Sequence, residues 1–280
     1  MIENLVSIND IPKPVLQSAL DSISTFTIGF AEIVRDHELE DVQLLGTGTL
    51  IKVGKNHGIL TAQHVLKALP KEGRLGLIMS RSANRETVNI SGITYIDIAR
   101  GTNDQDGPDL ALVLLSPSIA STIAARKNFY DLNIHREKAL INPPDLQYGV
   151  WCNIGFIDEK TIEKPGEKGY TKIKVFFMQA GFGGPEKEPY SKDGFDYISL
   201  PVTYNSSPDI PINFGGISGG GVWQVQLIRG TDNEMTIGEL LLSGVVFYQE
   251  ALANDRRNLI CHYRKSVYNT AYTIIEKNGH

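Results

Sequence analysis

Gly46-Thr47-Gly48-Thr49-Leu50-Ile51-Lys52-Val53, followed by Gly58-Ile59-Leu60-Thr61-Ala62-Gln63-His64-Val65, is the stretch whose reading decides the fold. Thr49-Leu50-Ile51-Lys52-Val53 and Gly58-Ile59-Leu60-Thr61 are apolar, β-branched runs of strand length, and the Gly, Lys and Asn between them mark a turn. Gly46-x-Gly48 alone would also suit a nucleotide loop, but no Gly-Lys-Ser/Thr follows and helix signals are absent. The pair therefore reads as two strands, with a histidine just past the end of the second.

Outward from this pair the same grammar repeats. Phe26-Thr27-Ile28-Gly29-Phe30, Leu75-Gly76-Leu77-Ile78-Met79, Val88-Asn89-Ile90 and the run 110–115 complete six strands, enough for one small barrel. Runs at 148–157, 171–179, 195–202, 221–227, 240–248 and 259–263 supply a second six. The expected fold is all-β, two six-stranded antiparallel β-barrels. Val267, Ala271, Ile274 and Ile275 recur at i, i+4, i+7 and i+8 and predict a C-terminal α-helix; 12–24 predicts a short N-terminal helix. Helical spacing in 118–133, with Ile119, Ile123 and Ala124 on one face, ends before Asn142-Pro143-Pro144. The expected divisions are an N-terminal extension (1–24), a first barrel (25–117), a connection (118–147), a second barrel (148–263) and the closing helix (264–280). The polar segments 158–169 and 181–194 read as loop insertions.

Composition narrows the class. Of 280 residues, 41% are hydrophobic and 8% aromatic, which supplies a sizeable core and excludes a disordered chain. The net charge is −5 with scattered basic residues, so neither nucleic acid nor an anionic membrane is expected as a partner. No apolar stretch reaches the roughly 18 residues of a membrane span, and Met1-Ile2-Glu3-Asn4-Leu5 lacks the basic start and apolar run of a secretory signal. The two cysteines, Cys152 and Cys261, suit a reducing cytoplasm. Either one reads as a reactive thiol or as a small buried hydrophobe.

Three segments carry chemistry. His64 follows a strand and can project into a cleft as a general base, although a histidine there also suits a hydrogen-bonded core. Asp109 opens the apolar run Leu110-Ala111-Leu112-Val113-Leu114-Leu115, where a largely desolvated carboxylate needs a partner such as an imidazole N–H, unless it is a solvated strand cap. Asp104 and Asp106 read as solvated turn residues. Ser218 sits in Phe214-Gly215-Gly216-Ile217-Ser218-Gly219-Gly220-Gly221, where glycines permit positive φ and the amides of Gly216 and Ser218 can face a developing oxyanion. The bland alternative is a flexible turn.

In this order the segments resemble the trypsin-like, chymotrypsin-fold serine peptidases. Thr61-Ala62-Gln63-His64 is similar to the family's histidine box, Asp109-Leu110-Ala111-Leu112 to its aspartate strand, and Gly216-Ile217-Ser218-Gly219-Gly220 to its nucleophile turn. The resemblance spans roughly 25–263. It implies a trypsin-like double barrel, a peptide or protein substrate, no cofactor, no metal, and catalysis by His64, Asp109 and Ser218. Ile217 stands where secreted members carry an aspartate that pairs with a new N-terminus, so activation by that ion pair is not expected; a dedicated partner or activator remains open. The resemblance puts Ile212 at the base of the primary pocket, Phe247, Tyr248 and Gln249 on the strand that pairs with substrate, and His262 near the pocket wall. It thereby implies a small or uncharged residue before the scissile bond, with recognition of an acidic or amide side chain by His262 as the alternative. Ile212, Phe247 and Tyr248 equally suit plain core packing.

Two rivals stand beside this. Gly216-x-Ser218-x-Gly220 also fits the nucleophile elbow of α/β-hydrolases, but that fold places its acid and histidine after the serine, where only 62 residues (280 − 218) remain and the late pair Asp255 and His262 lacks the expected strand-loop spacing. The other is a non-catalytic binding or scaffold module that keeps the two-barrel shape.

Overall fold

The computed structural model describes residues 8–36, 39–79, 86–102, 107–147, 149–165, 172–204, 209–232 and 234–279. The opening pentapeptide, Asp104, Asp106 and part of the 158–169 insertion lie outside the described residues.

Helix α1 (Lys13–Ser24) has Pro14 in its first turn, where a proline's fixed φ suits a helix start, and buries Ala19 and Ile23. Strands β1 (Thr27–Asp36), β2 (Leu39–Val53) and β3 (Asn56–Thr61) form a meander, and α2 (Gln63–Ala68) follows. Next come β4 (Arg74–Ile78), β5 (Glu86–Asn89), β6 (Ile93–Arg100) and β7 (Asp109–Leu115). They assemble antiparallel in the order β5-β4-β1-β2-β3-β7-β6, and the short β8 (Tyr130–Asp131) joins β2 in parallel. The second sheet contains β9 (Val150–Phe156); β10 (Ile162–Pro165) and β11 (Lys172–Val175) pair separately as a hairpin. After them come β12 (Met178–Phe182), β13 (Tyr190–Lys192), β14 (Phe195–Thr203), β15 (Gly221–Arg229), β16 (Met235–Gln249) and β17 (Arg256–His262). That sheet runs β12-β9-β15-β16-β17-β14-β13.

The fold is mostly β, with a curled antiparallel half-barrel sheet and a C-terminal helix. Register shifts between Phe30 and Ala31, between Val222 and Trp223, and between Val246 and Tyr248 are the points at which extra twist enters. Each sheet path contains seven strands where six were expected.

The core follows the period of two. On β7, Leu110, Leu112 and Leu114 enter a cluster shared with Cys152, Ile154 and Trp223 of the second sheet, whereas Ala111, Val113 and Leu115 pack with Ile28, Leu50 and Ile59 of the first. A strand buried on both faces has no room for polar side chains, which is why this run is unbroken in the sequence. It also forces Asp109, at its mouth, into the interior.

The helical spacing at 118–133 resolves into α3 (Pro117–Ala124) and, after a break, α4 (Leu132–Leu140). Tertiary docking overrides the local pattern: buried Lys127 donates to Ser24 O at 2.8 Å, and Tyr130 donates to Leu240 O at 3.0 Å while meeting Phe26 and Trp223 edge-on and stacked on His135. At the C-terminus a wide turn at Ser266–Ala271 precedes α5 (Tyr272–Asn278), with Val267, Ala271 and Ile275 buried. Among the described residues no helix is long and apolar enough to cross a membrane.

Candidate active site

The Gly-Thr-Gly-Thr alternation of β2 organises the site. Gly46 and Gly48 face the first core, where a Cβ would run into Val65 at one position and Ile59 and Phe30 at the other. Thr47 and Thr49, on the opposite face, reach the turn of Ser218. Thr49 Oγ1 donates to Gly219 O at 3.0 Å, Thr47 Oγ1 donates to Gly216 O at 2.6 Å, and Thr47 N donates to Ser218 O at 2.9 Å. Thr47 Oγ1 also accepts from Phe156 N at 2.9 Å, and Thr61 Oγ1 donates to Thr47 O at 2.8 Å. One strand thus fixes the segment leading to His64 and the turn carrying Ser218 against each other.

His64 lies in the first turn of α2, and Asp109 opens β7, which pairs with β3. Asp109 is 2% exposed, whereas the His64 side chain is 41% exposed. Asp109 Oδ2 accepts from His64 Nδ1 at 2.6 Å and Oδ1 from the His64 backbone N at 3.0 Å, which fixes the ring's orientation. Arg100 Nη1 reaches the same Oδ2 at 2.7 Å. Burial works to raise the Asp109 carboxyl, but hydrogen bonds from His64 and the charges of His64 and Arg100 outweigh it and hold it below the usual carboxylate value. With Nδ1 committed to the carboxylate, Nε2 is the ring nitrogen left for proton transfer; it makes no hydrogen bond among the described residues.

The amides of the Ser218 turn form a pattern. Ile212 N and Asn213 N donate to the Glu159 carboxylate, Phe214 N to Gln249 Oε1 and Gly215 N to Asn213 Oδ1. Ile217 N, Gly219 N and Gly220 N donate to Phe214 O, Val246 O and Ile217 O. Between Ile212 and Gly220, the amides without an acceptor among the described residues are those of Gly216 and Ser218. The cause is peptide geometry: in a planar trans peptide, C=O and N–H point in opposite directions. Gly215 O is held by Asp158 N at 2.8 Å and Ile217 O by Gly220 N at 2.8 Å, so the N–H groups of Gly216 and Ser218 are turned the other way. Gly216 has φ +93° and Gly219 φ +91°, conformations that favour glycine.

The Ser218 hydroxyl donates to Phe247 O at 3.4 Å; no hydrogen bond joins it to His64. The structure therefore brings His64 to Asp109 directly and ties Ser218 to the same neighbourhood through Thr47 and Thr61.

The remaining candidates fall elsewhere. Ile212 is 65% exposed, so it does not form a pocket floor. Phe247 is buried and Tyr248 half-buried on β16. Gln249 bridges β16 to the Ser218 turn: its Oε1 accepts from Phe214 N at 2.9 Å and its Nε2 donates to Asn213 Oδ1 at 2.7 Å. His262, expected near a pocket wall, is instead fully buried behind Asp109, with its ring among Phe195, Tyr197 and Phe247. Its Nε2 accepts from Asp109 N at 3.0 Å, so Nδ1 carries the proton, facing Ser266 Oγ at 3.4 Å. Burial pushes this imidazole down to about 4. Cys152 and Cys261 are unpaired and fully buried, and desolvation pushes both thiols up, away from the reactive thiolate. A cavity of about 470 Å³ opens behind the turn, lined by Phe214 and Ile217 among others but not by His64, Asp109 or Ser218. Among the described residues no group of three His, Cys, Asp or Glu could hold a metal ion.

Arg100, Thr47, Glu159 and the bridging role of Gln249 were not singled out from the sequence. For Thr47 a signal existed: a Gly-Thr-Gly-Thr alternation puts two hydroxyls on one face of a strand. For the others the partners are distant in sequence. No protein-family model matches the chain, and no curated protein matches it.

Proposed function

We propose that the protein is a serine endopeptidase of the trypsin-like double-barrel kind, cleaving peptide bonds through an acyl-enzyme. The observation that carries the reading is the turn in which Gly216 N–H and Ser218 N–H alone lack an acceptor among the described residues, beside a histidine held by a buried carboxylate. His64 Nε2 takes the Ser218 proton as Oγ attacks the carbonyl carbon, Asp109 orients the ring and stabilises the imidazolium, and the two amides hold the oxyanion. Proton transfer requires the Ser218 hydroxyl to turn from Phe247 O to His64. His64 then returns the proton to the leaving amine, and water releases the acyl group. Ile217 is 3% exposed and packs into the core of the second sheet, which supports the turn by apolar contact where secreted members use an ion pair. Unpaired cysteines suit a reducing compartment such as the cytoplasm.

A second reading, a non-catalytic binding module, is favoured by the Ser218 hydroxyl facing Phe247 O. Cleavage of a denatured protein substrate separates the two. The peptidase reading expects Ser218→Ala and His64→Ala each to lower turnover by about 10³-fold or more, because such residues act as a unit. Equal turnover by parent and variants refutes it, and no cleavage by the parent supports the binding module.

A further inference from the structure

Arg257, on β17, is a buried cation with an incomplete set of partners. It is 8% exposed, and among the described residues it forms no ion pair. Its Nη1 donates to Gln249 Oε1 at 2.5 Å, the Tyr204 ring centre lies 5.9 Å from its guanidinium carbon, and its buried Nε has no partner among the described residues. Arg264, the other buried arginine among the described residues, is satisfied: it directs Nε to Ser243 Oγ, Nη1 to Pro144 O and Nη2 to Gln224 Oε1. The nearby carboxylate of Glu159 is committed to the amides of Ile212 and Asn213. Burying an N–H without an acceptor is costly, so the fold tolerates at Arg257 Nε a hydrogen-bond deficit that it avoids at Arg264, whose partners are likewise neutral.

The location gives the deficit a use. Gln249 Oε1 accepts at once from Arg257 Nη1 and from Phe214 N, the backbone leading to the Ser218 turn. A neutral amide oxygen therefore occupies a position built from a guanidinium and a peptide N–H, the donor pair that recognises a carboxylate. The expectation of a small or uncharged side chain rested on Ile212 at the pocket base; with Ile212 exposed, that ground is gone.

We infer that Arg257 is the specificity-determining counter-charge for an acidic substrate side chain, aspartate or glutamate, next to the scissile bond, and that the Gln249 amide holds its place until substrate displaces it. This rests on the peptidase reading of Ser218. A carboxylate accepts from a guanidinium more strongly than an amide oxygen does, so a substrate acid displaces Gln249 where an isosteric amide does not.

The test compares kcat/KM for two peptides that differ only in Glu or Gln before the scissile bond, together with labelling of Ser218 by an uncharged fluorophosphonate. The parent should prefer the Glu peptide by about tenfold or more. Arg257→Gln removes the counter-charge, and Gln249→Glu supplies an internal one; each should bring the Glu/Gln ratio of that variant to about one. The ratio is taken within each protein, and Gln249→Glu keeps the test decisive if Arg257→Gln does not fold. A labelled parent with no preference for Glu, or variants that keep the parent's ratio, overturn the acidic assignment and leave the peptidase reading standing. A parent that is neither labelled nor active overturns the peptidase reading, and this inference with it.

Discussion

Replacing Thr47 by valine removes a hydroxyl and leaves the shape. The residue is fully buried, and its Oγ1 serves two backbone groups, donating to Gly216 O at 2.6 Å and accepting from Phe156 N at 2.9 Å. Valine fills the same volume, so no cavity term enters. What remains is a carbonyl and an amide without these partners, each costing about 1–3 kcal/mol if left unsatisfied. Thr47→Val should therefore lower the unfolding free energy by about 3 kcal/mol, measured by urea denaturation. Thr47→Ser keeps the hydroxyl and loses one methyl, so it should cost about 1 kcal/mol. Because the Gly216 carbonyl is released, the turn loses its alignment, and acylation of Ser218 should fall by about 10²-fold, the size of one lost oxyanion donor. If Thr47→Val unfolds within about 0.5 kcal/mol of the parent, the range of an ordinary surface change, then Thr47 does not hold the two segments together and the reasoning fails.

Three further outcomes follow from the same geometry. His262 stays neutral in the fold down to about 4 but takes a proton near 6.5 when unfolded. The unfolded chain thus binds more protons between these values, and stability present above 6.5 is lost as pH falls toward 4. By pH 5 this amounts to about 2 kcal/mol. Urea midpoints at pH 7.5 and 5 should show that extra loss in the parent relative to His262→Gln, and parallel losses in both would refute it. Gly219→Ala forces a side chain into φ +91° and into Thr47 O and Thr61 Oγ1, and should cost more than about 2 kcal/mol, whereas Gly54→Ala, at φ +58° in open space, should cost about 1 kcal/mol. Equal thermal shifts for the two would show that the close approach is immaterial. Arg100→Ala removes a cation from Asp109, so the carboxyl should titrate at higher pH by carbon NMR; an unmoved titration would mean that Arg100 is not a partner in solution.

The strands were legible because burial imposes a short period: the run 110–115 is apolar enough for a strand covered on both faces, and Asp109 at its mouth is then largely desolvated, as its 2% exposure shows. The Ser218 turn was legible because its backbone requires glycine at 216 and 219. The helix break near Lys127 was hidden, since it is caused by Ser24 and Leu240, far away in the chain. The burial of His262 was hidden for a similar reason, because its partner is the backbone N–H of Asp109 on the other sheet. Arg257 looks in the sequence like any arginine beside Arg256; only burial distinguishes it, since Arg256 pairs with Glu186 at the surface while Arg257 has no carboxylate partner among the described residues.

The central claim is that His64, held by Asp109, activates Ser218 in a turn with two amides open to an oxyanion. Incubation with a fluorophosphonate, followed by proteolytic mapping of the adduct by mass spectrometry, tests it most directly. The account predicts one adduct, on Ser218, whose rate of formation drops by at least about 10²-fold in His64→Ala. An unmodified protein, an adduct on another residue, or an adduct that forms as fast without His64 would contradict it.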